Sequence, residues 1–233
     1  MFCFKRFSVK QEKNAMKVGT DGVLLGAWCD VENADFALDV GCGTGLIALM
    51  MAQKKATLKI DAVEINLESA AECIENVQNS PFQKQIQVFA DSIQNFTENS
   101  TKKYDLIVSN PPFFVDALKC PDKKRNLARH TDTLNYSDLL FTAEKLLNIN
   151  GLFSVILPEE QCVSFIVLAE VHKLFLIKQT EIFPALNSKC RRRLMTFSKN
   201  YSEKITEKLI IENSRHNFTN EYIALTKDFY LKF

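Results

Sequence analysis

Short apolar runs alternate along this chain with segments of helical period. Seven runs read as buried strands, at 36–40, 58–63, 86–90, 104–109, 152–157, 173–181 and 192–198. Four intervening stretches are candidate helices, at 45–54, 67–78, 137–147 and 159–170, the third of them with a clear 3.6 period. In the 137–147 helix, Leu139, Leu140, Ala143, Leu146 and Leu147 share a face, Ser137 is the candidate N-cap, and Asn148-Ile149-Asn150-Gly151 is the expected stop. Asn66 is the candidate cap of the 67–78 helix, with Leu67, Ala70, Ala71, Ile74 and Val77 as its expected core face. Regular alternation of strand and helix implies an α/β fold, a parallel sheet with helices on both faces. Only Pro184 to Ser188 and a basic run separate the last two strands, so these can pair antiparallel. The tail, with Leu209 to Glu212 and then Glu221 to Phe233, reads as an edge addition over 201–233. No repeat or low-complexity stretch divides the chain, and one domain is expected over 1–233.

Composition narrows the class. The chain has 233 residues, 46% hydrophobic and 24% charged, an ordinary globular balance. No apolar stretch reaches the ~18 residues of a membrane span, and the N-terminus lacks the apolar core of a signal peptide. Seven cysteines form no C-x-x-C pair and are odd in number, which fits free thiols in a cytoplasmic protein. The three histidines lack metal-ligand spacing, so no metal is expected. Net charge is only +1, but it is unevenly spread. Residues 1–17, 119–130 and 189–193 each carry a net +4, leaving the remainder at −11. Three solvated loops on different faces would account for this. So would one phosphate-facing surface built from Lys123, Lys124, Arg125, Arg129, His130, Arg191, Arg192 and Arg193.

Candidate chemistry sits at strand ends. Asn110-Pro111-Pro112-Phe113 follows the run Tyr104 to Ser109. Two prolines fix φ and remove two donors, so the Asn amide and the neighbouring carbonyls point off the strand beside an aromatic face. Such a group can accept hydrogen bonds from a planar –NH2 while a ring stacks on Phe113. A strand-ending turn with a core phenylalanine fits the same residues. Asp39-Val40-Gly41-Cys42-Gly43-Thr44-Gly45 is a glycine turn between strand and helix, the opening of a nucleotide-binding βαβ unit. Its glycines alternate, unlike the dinucleotide fingerprint G-x-G-x-x-G. Cys42 is read as a small residue fitting the turn, not as a nucleophile. Glu64 ends the next strand and suits ribose hydroxyls, and Asp91 closes the third. Before the first strand, Lys17-Val18-Gly19-Thr20-Asp21 opens the apolar helix at 23–28, offering a cation and helix N-terminal amides to a carboxylate. Thr20 or Asp21 can also serve as its N-cap.

Together these motifs resemble a class I S-adenosylmethionine-dependent methyltransferase, over roughly residues 8–200. The resemblance implies a Rossmann-like fold, a seven-stranded, mostly parallel sheet whose last main strand is antiparallel. It also implies roles: the 41–45 turn at the amino-acid end of the cofactor, Glu64 on its ribose, Asp91 on its adenine amine, and segment 1–30 closing over it. Order along the chain is more specific. The N-terminal K-x-G-T-D segment, N-P-P-F, then Arg129-His130-Thr131-Asp132 resemble the bacterial tRNA(Val) (adenine-N(6))-methyltransferase family. Membership implies methyl transfer to an adenine amino nitrogen beside the anticodon, by a monomer with tRNA as partner. A release-factor glutamine methyltransferase carries N-P-P-Y and a large N-terminal domain. A ribosomal RNA guanine-N(2) methyltransferase carries a duplicated domain in front. A non-enzymatic nucleotide-binding scaffold leaves N-P-P-F unexplained.

Overall fold

The computed structural model describes residues 1–13, 17–112 and 134–233. A small hairpin, β1 (Phe2–Cys3) and β2 (Ser8–Val9), precedes helix α1 (Thr20–Trp28). Then follow β3 (Phe36–Val40), α2 (Leu46–Lys54), β4 (Lys59–Glu64), α3 (Leu67–Gln78), β5 (Ile86–Ala90), α4 (Ile93–Asn99) and β6 (Tyr104–Ser109). After the undescribed stretch come α5 (Tyr136–Leu146), β7 (Leu147–Pro158), α6 (Glu159–Val171), β8 (Phe175–Ala185), β9 (Arg192–Ser198), β10 (Ile205–Ser214), β11 (Asn217–Phe218) and α7 (Asn220–Thr226). The central sheet runs β11-β10-β8-β9-β7-β6-β3-β4-β5, with β9 antiparallel to both its neighbours. Seven of these strands make the expected Rossmann-like sheet with its reversed last main strand. The tail lengthens it to nine, because β10 pairs parallel with β8 over Ile205 to Glu212.

The buried strands read as continuous apolar runs because both faces are covered. Along β6, Leu106 and Val108 join the core under α1, α2 and α3, while Ile107 joins the core under α5 and α6. Side-chain alternation thus feeds two cores from one strand.

Local readings failed where packing decided. Asn135, not Ser137, caps α5, its side chain accepting from Asp138 N. Leu147 and Asn148 to Gly151 belong to β7, so the helix passes directly into the strand without a stop turn. β8 continues through Pro184, which the sequence placed in the connecting turn. Ser92 caps α4, a helix too short to show a period. Asn66 does cap α3, accepting from Ser69 N at 2.9 Å. Of the expected core face of α3, Ala70 and Val77 are buried, but Leu67, Ala71 and Ile74 are exposed. Leu67 is 72% exposed and Ile74 37%, whereas Glu72, Cys73 and Asn76 are buried. The helix is rotated so that polar side chains meet the N-terminal segment and the glycine turn.

Candidate active site

The carboxyl ends of β3, β4, β5 and β6 converge, where ligands bind in open α/β sheets. Beyond β3 the backbone turns through Gly41, Gly43 and Gly45 at φ 69°, 53° and 79°, conformations that side-chain-bearing residues rarely adopt. Gly41 N and Cys42 N donate to Val63 O, fixing the turn against β4. Gly45 is the N-cap of α2 and has no side chain to cap it. Asp39 does this instead: its Oδ2 accepts from Ala48 N at 3.1 Å. Its other oxygen is buried without a partner among the described residues, and burial pushes the carboxyl up to about 7. Cys42 Sγ lies 3.7 Å from Cys73 Sγ. The hydrogen bond to Cys73, with burial, raises the Cys42 thiol well above its usual range, which suits a packed thiol and not a nucleophile.

Glu64 bridges two turns, its Oε2 accepting from Gly43 N and its Oε1 from Asn66 N, both at 2.9 Å. Asp91 is held by Ser92 N and Asn95 Nδ2, each at 2.7 Å. Between them opens a cleft lined by Val40, Gly41, Val63, Ile65, Asp91, Ile93, Gln94 and Leu134. Its walls are apolar with a single acid, and its volume of about 30 Å³ means that a heteroaromatic ring bearing an amine would enter only by parting those walls. The sequence reading found Asp91 but missed Ile65, Ile93, Gln94 and Leu134. The one available signal was Ile65, an apolar residue directly after the strand-ending acid.

At the end of β6, Ser109 Oγ donates to Val40 O at 2.9 Å. This places Asn110 beside the glycine turn, half-buried, with Pro111 buried and Pro112 exposed. Helix α1 starts near the same edge because it packs closely on α2. A Cβ on Gly26 would sit 2.7 Å from Met50 Sδ, and one on Gly22 3.1 Å from Leu46 Cδ2. The N-cap of α1 is Gly19, not Thr20 or Asp21, which occupy its first turn. Lys17 is exposed just before it.

Four cations of the first and third basic clusters are engaged within the protein. Arg192 Nε donates to Asp21 Oδ2 at 2.9 Å. Arg193 forks onto Glu159, reaches Gln179 Oε1 at 3.3 Å and lies 3.8 Å from Glu181. It holds the Glu159 carboxyl below its ordinary value. This corrects the expected open triple: of the three arginines, only Arg191 is exposed. In the N-terminal cluster, Lys5 Nζ donates to the carbonyls of Lys227 and Phe233, and Lys10 pairs with Glu75. Phe113, Lys123, Lys124, Arg125, Arg129 and His130 lie outside the described residues.

The groups present suit S-adenosylmethionine: a turn whose three glycines put no side chain between backbone and ligand, a buried acceptor on Asp39, Glu64 at the second strand, and the Asp91 cleft. The methyltransferase small domain family matches residues 17–186. A tRNA1(Val) (adenine(37)-N6)-methyltransferase of Flavobacterium psychrophilum is 44% identical over 233 residues, covering 100% of both chains. One of Phocaeicola vulgatus is 47% identical over 99% of this chain and 97% of its own. Among solved structures, a predicted O-methyltransferase of Agrobacterium tumefaciens shares the fold at TM-score 0.71 and 18% identity, covering 90% of this chain and 96% of its own. With end-to-end identity of this order added to the site, the chain belongs to the tRNA1(Val) (adenine(37)-N6)-methyltransferase family and uses S-adenosylmethionine.

Proposed function

We propose that this enzyme methylates the exocyclic amino nitrogen of adenine 37, beside the anticodon of tRNA1(Val). The carrying observation is the Ser109–Val40 hydrogen bond, which sets Asn110 and Pro111 against the glycine turn. S-adenosylmethionine, when bound, supplies an electrophilic methyl group. The chain's task is orientation, because the adenine amine is a weak nucleophile whose lone pair is delocalised into the ring. Asn110 Oδ1 and the Pro111 carbonyl each accept one amino N–H, drawing the nitrogen toward a pyramidal geometry. Phe113 stacks on the base, a contact worth about 1–3 kcal/mol. Orientation of this kind supplies up to ~7–11 kcal/mol of a barrier. No titrating base is required beforehand, and the methylated amine then sheds its surplus, now acidic, proton to water. A loop adenine meets the requirement that the base be out of a stack.

In the same reading Glu64 accepts from the cofactor ribose, Asp91 from its adenine amine, and the 41–45 turn with Asp39 holds the amino-acid end. Lys17, Thr20 and Asp21 close over that end. Lys123, Lys124, Arg125, Arg129, His130 and Arg191 face RNA phosphates. The enzyme acts as a cytoplasmic monomer without a metal.

Incubation with labelled cofactor and, separately, total tRNA, ribosomal RNA, DNA and protein, followed by nucleoside and amino-acid analysis, tests the reading. N6-methyladenosine at position 37 of tRNA1(Val) is expected. It should be lost in Asn110→Ala while cofactor affinity stays within about twofold, a change of under ~0.5 kcal/mol. Methylglutamine in protein or methylguanosine in ribosomal RNA would retire the proposal.

A further inference from the structure

Helix α3 carries two buried polar residues, Glu72 and Asn76, that are 2% and 3% exposed. They lie one helical turn apart on one face, where an apolar pair would be the default. Burying them costs free energy unless every polar atom is matched. For Asn76 the matching is complete. Its Oδ1 accepts from Lys10 N at 2.8 Å, and its Nδ2 donates to Lys10 O and to Thr44 O, each at 2.9 Å. Glu72 Oε1 accepts from Glu12 N at 2.6 Å and from Lys13 N at 3.1 Å.

The partners give the pair its meaning. Thr44 lies inside the glycine turn, between Gly43 and Gly45. Lys10, Glu12 and Lys13 belong to the segment leading to Lys17, Thr20 and Asp21, and they have no regular structure of their own. One carboxamide therefore bolts that segment to the turn, main chain to main chain. Val18 N donates to Gln11 Oε1 at 2.6 Å, which ties the residues at the bolt directly to those just before α1. Cys73, on the same face of α3, closes the other side of the turn: a Cβ on Gly45 would lie 2.7 Å from its sulfur.

We propose that Asn76 and Glu72 are positioning residues for methyl transfer, registering the N-terminal segment against the glycine turn so that residues 17–21 close over the cofactor. This rests on the reading that those residues contact the cofactor. Asn76 holds the main chain of Lys10 and Thr44, and Glu72 holds the amides of Glu12 and Lys13. Their effect therefore falls on cofactor capture and not on RNA binding.

The test compares Asn76→Ala, Glu72→Ala and Glu72→Gln in the full chain. Measured quantities are S-adenosylmethionine affinity by calorimetry, the separate KM values for cofactor and tRNA, and amide hydrogen exchange at Glu12 and Lys13. Asn76→Ala and Glu72→Ala should each weaken cofactor affinity about tenfold and leave the tRNA KM unchanged. Exchange at Glu12 and Lys13 should accelerate in Glu72→Ala. Glu72→Gln keeps an acceptor for both amides and should stay within about threefold of the parent. Unchanged cofactor affinity in folded variants, an equal rise in the tRNA KM, or a Glu72→Gln no better than Glu72→Ala overturns the inference. Should Asn76→Ala not fold, the Glu72 pair decides. A Lys17→Ala/Thr20→Ala double variant separates the two layers. If its cofactor affinity is unchanged, the closing-segment reading fails. If its affinity falls while Asn76→Ala and Glu72→Ala bind normally, only the positioning role fails.

Discussion

Two sets of carboxylates, both at the carboxyl edge of the sheet, are neutralised in opposite ways. Asp39 and Glu64 are held by backbone amides of Ala48, Gly43 and Asn66. Burial leaves Asp39 near 7, the signature of an acid without a cation. Asp21, Glu159 and Glu181 instead face Arg192 and Arg193. Glu159 is held below its ordinary value by Arg193. The first arrangement leaves the acids without a cation among the described residues, beside the glycine turn where the proposed function puts the cofactor. The second consumes charge internally, turning a basic run into a brace between β9, α6 and α1. Positive residues counted along a sequence are thus an upper bound on the positive surface a phosphate can meet.

The largest effect that can break this contrast is at Asp39, which gives a pH-dependent difference on the order of 4 kcal/mol, a rise of about three pKa units at 1.36 kcal/mol each. Its folded pKa of about 7 lies above the ordinary 3.8, so the stability it contributes is fully present below about 4 and lost as pH rises through 7. Asp39→Asn should therefore gain on the parent between pH 5 and pH 8 in ligand-free denaturation. Parallel curves would mean that the carboxyl titrates normally. The next largest effect is structural. Arg193→Ala should lower unfolding free energy by about 3 kcal/mol, since it leaves Glu159 and Glu181 uncompensated in a partly buried place. Urea denaturation measures it, and a stable variant with weakened RNA binding would return Arg193 to the RNA surface. Next, Glu64→Ala should weaken S-adenosylmethionine binding by about 1.5–3 kcal/mol, the range for a hydrogen bond to a charged group. Calorimetry giving an unchanged affinity would make Glu64 only a brace for Gly43 and Asn66.

The smallest expected effect is at Arg191. Arg191→Ala should leave stability and cofactor affinity alone and reduce the salt dependence of RNA binding by about one phosphate contact. An unaltered slope would remove the last exposed arginine of that cluster from the interface.

What the chain's own pattern determined were features with local causes. Alternating glycines demanded positive φ, and each of the three has it. Apolar runs of strand length, separated by helical periods, determined a sheet covered on both faces, because burial on two sides leaves no polar alternation to misread. The acids at 39, 64 and 91 stand at strand ends, and Asn110-Pro111-Pro112 follows β6, since strand termination is written in proline and acid placement. Tertiary structure alone decided how side chains were spent. The rotation of α3 that buries Glu72 and Asn76 and exposes Leu67 depends on a segment some sixty residues away, beyond any local period. The pairing of Arg192 with Asp21 joins residues 171 positions apart, a contact that only the packing of α1 on α2 and the reversal of β9 bring about. The apolar walls of the Asp91 cleft come from four places in the chain: the end of β3, the end of β4 with Ile65, the start of α4, and Leu134 ahead of α5. Local sequence fixes backbone torsion and burial preference within a few residues. Hydrogen bonds and ion pairs between distant residues are chosen by the packing that brings their carriers together.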